Sequence, residues 1–551
     1  MNDQKRFITA IVLIMAILGI YSLMSPSKNK PINKTEDEAS VVENKIEPSN
    51  QLVLQEQKRP IVTNDKTVEL KTAFLKAEMS TASAAINRLW IKNAADSSFS
   101  KKPLLLASAS DPKTLEVTLL NSGDDIGEYK VSKSSDNEIV LSAETDKGLE
   151  ITKRYIFSKS NYDIHLYITI SNKSKSDKII AYNLAAATNL QFSSMLDKRF
   201  LNAGSYDGEK LTWVKPKGAV KAAEEGKVYN FASNPAWAVL RNTHSSAIIK
   251  PYQEISYTFL SWKKGANKNQ DDWSMGLNVD SIVIAPSSEV VHEYMLYVGP
   301  TMEESLAPLG LAEAVNYGKL DVVCKLLIKV LSFFYDVTGS YGIAIIFLVI
   351  VINIFTYPLT YKNIKSMKHM QSVQPHMTKL RETHKDDKKK LQAEMMKLYK
   401  ENNVNPMGGC LPMLLQMPIF IALYVTLART PVLKGSNFLW IKDLSMPDAL
   451  FKFSSELPFL GDKMFNLLPI LMMIAMVVQQ KISTSARSSG EKSPQEEQQQ
   501  KMMLMMPIVF GFLFYSLPSG LVLYWTVNTA LMAVAHFLIQ KQLESKVTVI
   551  V

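Results

Sequence analysis

The sequence predicts a polytopic, α-helical membrane protein of six spans with a large all-β sandwich domain between its first and second spans. Three observations lead there. Long apolar runs crowd into residues 337–540, residues 58–312 alternate apolar and polar side chains, and Lys and Arg fall unevenly among the loops. At 551 residues the chain also exceeds what one core supports, since single cores rarely grow past ~250–300 residues.

Composition narrows the function classes. The 47% apolar content is ordinary for a soluble protein, but the apolar residues are segregated, and 18 of the 26 methionines follow residue 340. Beside membrane spans, a net charge of +10 points to topology and to anionic lipids as partners rather than to nucleic acid. The two cysteines, Cys324 and Cys410, both lie outside the β region, which therefore needs no disulfide even in an oxidising compartment. No CxxC, HExxH or GxxxxGK[ST] pattern occurs, so neither a metal, a nucleotide nor any other cofactor is expected, and the chain does not read as an enzyme.

Lys5 and Arg6 precede an apolar run from Phe7 to Met24, whose 18 residues just span the hydrocarbon core. The run ends in Leu-Met-Ser-Pro without a small-x-small cleavage site, which favours an uncleaved anchor (residues 1–24) over a signal peptide. Residues 25–57, rich in Lys, Asn, Glu, Pro and Ser, read as a disordered tether. In 58–312, Tyr162, Ile164, Leu166, Ile168 and Ile170 alternate with polar residues, and Leu149, Ile151, Tyr155 and Phe157 do likewise. That period predicts antiparallel strands. His165 and His292 read as surface histidines of those strands, and docking suits this region better than catalysis.

Leu320, Val323, Leu327, Val330 and Phe334 recur at helical spacing beside Lys319, Lys325 and Lys329, which suits an interfacial helix over 313–336. The remaining spans are Tyr341–Tyr361, Cys410–Ala428, Phe465–Gln480, Met502–Leu517 and Leu521–Ile539, the last two joined by a tight Pro518-Ser519-Gly520 turn. Segment 362–409 holds eleven Lys and Arg against five in 429–464. The positive-inside rule then puts both termini and 362–409 in the cytoplasm and the β domain outside. Within 362–409, Met370, Val373, Met377 and Leu380, then Leu391, Met395 and Leu398, recur at helical spacing around a break that Asp386 caps. Two readings of this basic hairpin stay open: a solvated hairpin, or a dock for a ribosome, a signal recognition particle receptor or a nascent chain.

No Asp, Glu, Lys or Arg lies within 341–361, 410–428, 502–517 or 521–539, which disfavours an ion-coupled transporter, although a polytopic small-solute transporter remains the main alternative. The spans carry neutral polar residues instead: Asn353, Thr356, Gln416, Thr426, Thr526, Asn528 and Thr529. Gathered on one side they would line a hydrated groove; dispersed, each would only bond a neighbouring helix. Flexible methionines such as Met417, Met473 and Met476 suit varied apolar partners.

Four strings resemble the YidC/Oxa/Alb membrane protein insertase family: Tyr357-Pro358-Leu359-Thr360, Asn405-Pro406-Met407-Gly408-Gly409-Cys410-Leu411-Pro412, Gln416-Met417-Pro418-Ile419-Phe420 and Leu517-Pro518-Ser519-Gly520-Leu521-Val522-Leu523-Tyr524-Trp525. Their order covers residues 337–545 and implies a five-span insertase core. The extra first span and outer β domain resemble the Gram-negative, YidC-type form, which implies a periplasmic β-supersandwich over 58–312. The resemblance further implies insertion of nascent membrane proteins into the inner membrane, alone or with the Sec translocon. Its route would be a hydrophilic groove closed toward the periplasm. Asn353, Thr356, Tyr357, Gln416, Tyr524, Trp525 and Asn528 are the expected groove residues. Family members typically carry an arginine four residues before the Tyr-Pro pair; here that position is Asn353.

Overall fold

Alternation becomes strands where the sequence places them. In Asp163–Asn172 the side chains of Ile164, Leu166, Ile168 and Ile170 are buried, because a period of two sends every second side chain to one face. The computed structural model describes residues 65–93, 98–107, 112–120, 125–191, 200–214, 217–264, 271–384, 387–402, 411–453, 464–485 and 505–546. The expected first span and its tether lie outside the described residues, all of which fall in one unit, Val53–Val551.

Strands from Thr67–Lys71 to Glu289–Pro300 form three sheets with antiparallel pairing. Four strands make a meander between Thr67 and Leu106. Five make a second sheet in the order Tyr229–Ser233, Tyr257–Lys263, Asp272–Ile284, Lys178–Ala187, Glu116–Leu120. Nine make the third, with Glu289–Pro300, Asp163–Asn172 and Leu149–Phe157 side by side near its middle. One apolar cluster draws Tyr155, Ile164 and Leu296 from the large sheet, Leu184 and Leu277 from the five-stranded sheet and Met79 from the meander. The β region is thus a sandwich.

Helix α1 (Lys217–Glu224) belongs to that region. Helix α2 (Asp321–Thr338) leaves it and ends where Gly339 takes a left-handed conformation, φ 67°, that a residue without Cβ adopts at no cost. Its buried line is Cys324 and Leu331, while Val322, Val323, Leu326, Phe333 and Val337 are exposed. Of the expected stripe, Leu327, Val330 and Phe334 pack on the protein, whereas Leu320 precedes the helix and Val323 is exposed. An apolar pattern on two faces does not reveal which one meets protein.

Helix α3 (Tyr341–Thr383) runs 43 residues through Pro358 and Pro375, so the first arm of the expected hairpin is a direct continuation of the span. Helix α4 (Lys388–Glu401) is its second arm, tied back by a hydrogen bond from Tyr399 Oη to Met377 Sδ (3.4 Å). Asp387 caps α4 by accepting from the amides of Lys389 and Lys390; Asp386, the expected cap, lies outside the described residues.

Helices α5 (Leu411–Arg429), α6 (Leu468–Ser485), α7 (Met505–Phe514) and α8 (Ser519–Lys546) complete the chain. Among the described residues, the stretches Tyr341–Lys368 and Ser519–Leu543 are long and apolar enough to cross a membrane on length and composition alone, and Met417–Arg429, Leu468–Ser483 and Met505–Phe514 are shorter apolar helices. The last connection also differs from expectation. Ser519 and Gly520 already belong to α8, and their amides donate to the carbonyls of Met446 and Leu444. A Cβ on Gly520 would sit 3.1 Å from that Leu444 oxygen, so glycine is what permits the approach.

The loop that receives α8 is pinned by one buried carboxylate. Asp448 Oδ2 accepts from Trp440 Nε1 (3.1 Å) and from the amides of Leu467 and Leu468 (2.8 and 2.9 Å), capping the start of α6. Asp448→Ala should cost about 2–3 kcal/mol, because hydrogen bonds to charged groups contribute more than neutral ones. The check is the unfolding midpoint of the detergent-solubilised chain; an unchanged midpoint would show the carboxylate to be dispensable.

Candidate groove in the helical region

Packing in the helical region is one-sided along the helices. Ala344, Ile345, Leu348 and Val349 of α3 pack with Leu423 and Leu427 of α5, Met472 of α6, Phe514 of α7 and Leu521 to Tyr524 of α8. Leu433, Ile441 and Leu444 of the connecting loop close that end. The fully buried part of the cluster ends on α3 at Val349; beyond it Ile352, Val527 and Leu531 pack half-buried, and among them sits the polar Asn353.

Asn353 Nδ2 donates to the Val349 carbonyl and to Asn528 Oδ1 on α8, both at 2.9 Å. One polar side chain from each of two helices thus meets between them. Both residues are half-buried. Their remaining polar atoms, Asn353 Oδ1 and Asn528 Nδ2, have no protein partner among the described residues. Thr356 and Thr360 donate to carbonyls one turn back on α3, Ile352 and Thr356 respectively, and Thr526 does the same to Val522 on α8. These hydroxyls satisfy themselves locally. Each leaves a lone pair rather than a demanding donor on the interior face.

The structure separates the other expected groove residues. Trp525 is half-buried and packs on Phe420, Phe510 and Phe514, with ring centroids 4.9, 5.7 and 5.2 Å away, forming an aromatic wall beside Asn528. Tyr524 is 1% exposed and belongs to the packed cluster, so it backs that wall instead of lining a groove. Tyr357 is exposed part-way along α3, next to the exposed residues Ile354 and Phe355. Gln416 lies on α5, and its side chain falls outside the described residues. Of the methionines, Met472 is fully buried and Met476 packs at the cluster's edge.

The β region shows one departure from its expected surface histidines. His165 is partly exposed beside Asp163 and Glu293, and its hydrogen bond to Asp163 raises its pKa. His292 is buried, with Nδ1 2.5 Å from Tyr182 Oη, which in turn lies 2.7 Å from Tyr294 Oη. Strand Glu289–Pro300 turns that side chain toward the five-stranded sheet, where burial lowers its pKa. Partners 110 and 112 residues distant leave no local signal in the sequence.

Comparison with known proteins covers nearly the whole described chain. Residues 333–546 match the family described as 60Kd inner membrane protein, and residues 67–330 match the YidC periplasmic domain. A membrane protein insertase YidC of Pelobacter propionicus is 30% identical, the alignment covering 96% of this chain and 97% of the relative. That of Shewanella halifaxensis is 34% identical over 76% of this chain and 73% of its own length. A solved structure of an active YidC insertase, with its first transmembrane domain resolved, is 18% identical and covers 86% of this chain and 92% of its own, at a TM-score of 0.38.

Proposed function

This chain belongs to the YidC family of membrane protein insertases of the inner membrane, and on that premise we propose that it carries polar parts of its substrates through a groove centred on Asn353 and Asn528 while their apolar segments pass into lipid. It is a membrane protein insertase, and the small-solute transporter weighed from the sequence is set aside by that membership. The observation carrying the groove is the change along α3. Fully buried packing ends on α3 at Val349, and a half-buried amide pair bridging α3 and α8 follows one turn later among half-buried apolar residues.

The physics of the route is simple. A charged residue at the bilayer centre costs roughly 2.5–3.5 kcal/mol on insertion scales. Water held by the two amides shortens that crossing, and burial of the substrate's apolar segment supplies the drive. No bond need be made or broken. The packed end faces the periplasm in this proposal and the amide pair opens toward the cytoplasm, with both termini inside and six spans in all. Helix α2 lies in the outer interface with Val322, Leu326 and Phe333 in lipid. The basic hairpin of α3 and α4 receives a ribosome, the signal recognition particle receptor or the nascent chain, and the Sec translocon works beside the same core.

Photo-crosslinkers at positions 353, 417 and 525 should capture a stalled nascent membrane protein, whereas one at the lipid-facing Phe355, 81% exposed, should not. Equal capture at 353 and 355 would remove the groove.

A further inference from the structure

Where the β region meets the helices, two arginines share a site that contains no carboxylate among the described residues. Arg241 ends strand Trp237–Arg241 and is 3% exposed. Its guanidinium carbon lies 3.7 Å from the centre of the Trp213 ring, and Nη1 donates to the Ala314 carbonyl at 3.0 Å. Arg429 ends α5; its Nη2 donates to the Asn316 carbonyl at 3.0 Å and its charge sits over the rings of Tyr317 and Phe200. On both arginines Nε is buried without a partner among the described residues, as is the Thr243 hydroxyl. The acidic residue in their neighbourhood, Asp321, is already engaged: Oδ2 pairs with Lys325 at 2.9 Å, and Oδ1 accepts from the Tyr317 amide at 2.8 Å.

A small cavity lies here, lined by Arg241, Thr243, Thr301, Asn316, Tyr317 and Arg429, with room for about one water-sized group. Two positive charges at one void, Arg241 buried and Arg429 half-buried with its Nε shielded, repel each other more than they would in water. Burial, and then the charge of Arg429, both act against ionisation of Arg241. Guanidinium does not give up its proton in proteins, so the strain is not relieved by deprotonation. An anion relieves it, because the unpaired Nε groups and the Thr243 hydroxyl are donors. Their number and the size of the void suit a single negatively charged atom.

We propose that the Arg241–Arg429 junction is an anion-binding site that takes chloride or one oxygen of a phosphate between the two guanidiniums. The bound anion clamps the β region to the end of α5, since each supplies one arginine. In the membrane orientation given above, that end of α5 lies at the level of the outer headgroups. Both a free anion and a lipid phosphate are therefore within reach.

The test uses the full chain, delipidated in an uncharged detergent with gluconate as the only bulk anion. Chloride, inorganic phosphate and dihexanoyl phosphatidylglycerol are titrated separately, and the unfolding midpoint is read from tryptophan fluorescence. The unsubstituted chain should gain about 2–4 °C in a saturable manner. Arg429→Gln, which keeps a donor for Asn316, should lose that gain, and Thr243→Val should need a several-fold higher anion concentration for the same gain. A response to chloride or phosphate alone identifies a free anion as the ligand. A response to the short-chain lipid alone identifies the headgroup. No saturable response, or equal gains with and without Arg429, overturns the site; Thr243→Val supplies the same comparison should Arg429→Gln not fold.

Discussion

Asn353→Leu is expected to reduce insertion of a reporter protein into reconstituted vesicles about tenfold or more while leaving the fold intact. Interhelical hydrogen bonds in membranes average only ~0.6 kcal/mol and rarely exceed ~1.7. Losing the 2.9 Å bridge to Asn528 therefore does little to the packing, which rests on the fully buried cluster that ends on α3 at Val349. Function is more exposed. Leucine would leave Asn528 facing an apolar wall and remove one of the two amides proposed to keep the groove hydrated. If half of the roughly 2.5–3.5 kcal/mol for a crossing charge returns, the rate falls about tenfold. Asn353→Gln should preserve activity, because it keeps the amide. Asn353→Arg, which restores the family's usual residue, should favour substrates with acidic tails, since it adds attraction to hydration. Protease protection of the reporter reads all three, and full activity in Asn353→Leu would show that the amide pair is only a structural contact.

The fold was legible wherever a local period decides it. Ile164 to Ile170 on one parity, the apolar runs of α3 and α8 and the Asp-Lys-Lys start of α4 all act through neighbours a few residues away. What stayed hidden depends on long-range contacts. Asn353 and Asn528 are 175 residues apart, so spacing named both without pairing them. Tyr524 and Trp525 shared one motif, but adjacent helical residues point about 100° apart. One enters the packed cluster and the other the aromatic wall. The span Tyr341–Tyr361 and the first arm of the hairpin read as separate elements but form one helix through Pro358 and Pro375, since a long helix held by its neighbours tolerates the loss of single backbone bonds. The Arg241–Arg429 junction joins a strand to a helix end far along the chain and left no motif. Lys153 was the plainest omission. It sits on the same parity as Ile151 and Tyr155, and the alternation passes straight through it into the core.

Lys153→Met is expected to flatten the rise in stability of the β region between about pH 7 and 9.5. The Lys153 side chain is fully buried, and its Nζ donates to the carbonyls of Ala84 (2.7 Å) and Leu115 (2.5 Å). Those two residues hold positive φ values of 45° and 62°, uncommon for side chains with Cβ, so the lysine pins two strained turns. Burial lowers its pKa from 10.5 to about 7, against a smaller opposing pull from Glu116. In the unfolded chain the same amine titrates near its ordinary ~10.4. Between those values the unfolded state holds a proton that the folded state has released, so stability climbs with pH. Below pH 7 the charge is buried at full cost, and the whole shift corresponds to at most about 4–5 kcal/mol. The neutral amine still has two N–H bonds for its two carbonyls, so its structural role survives deprotonation. Methionine fills the volume without the charge and should gain most at low pH, whereas Lys153→Ala opens a cavity and should cost about 3–5 kcal/mol; in both variants the Ala84 and Leu115 carbonyls share the Tyr155 hydroxyl as their remaining side-chain donor. Above pH 10 the buried tyrosines reverse the trend, because burial raises Tyr155 and Tyr182 and the unfolded state then loses protons first. His165 also opposes the rise, its contribution fading once pH passes its raised pKa, but it does so equally in both proteins. Hydrogen exchange over strands Leu149–Phe157 and Asp163–Asn172 of the full chain, compared with Lys153→Met from pH 6.5 to 9.5, isolates the lysine. Parallel curves would mean that the buried amine stays protonated in the folded chain throughout, as it does in the unfolded one.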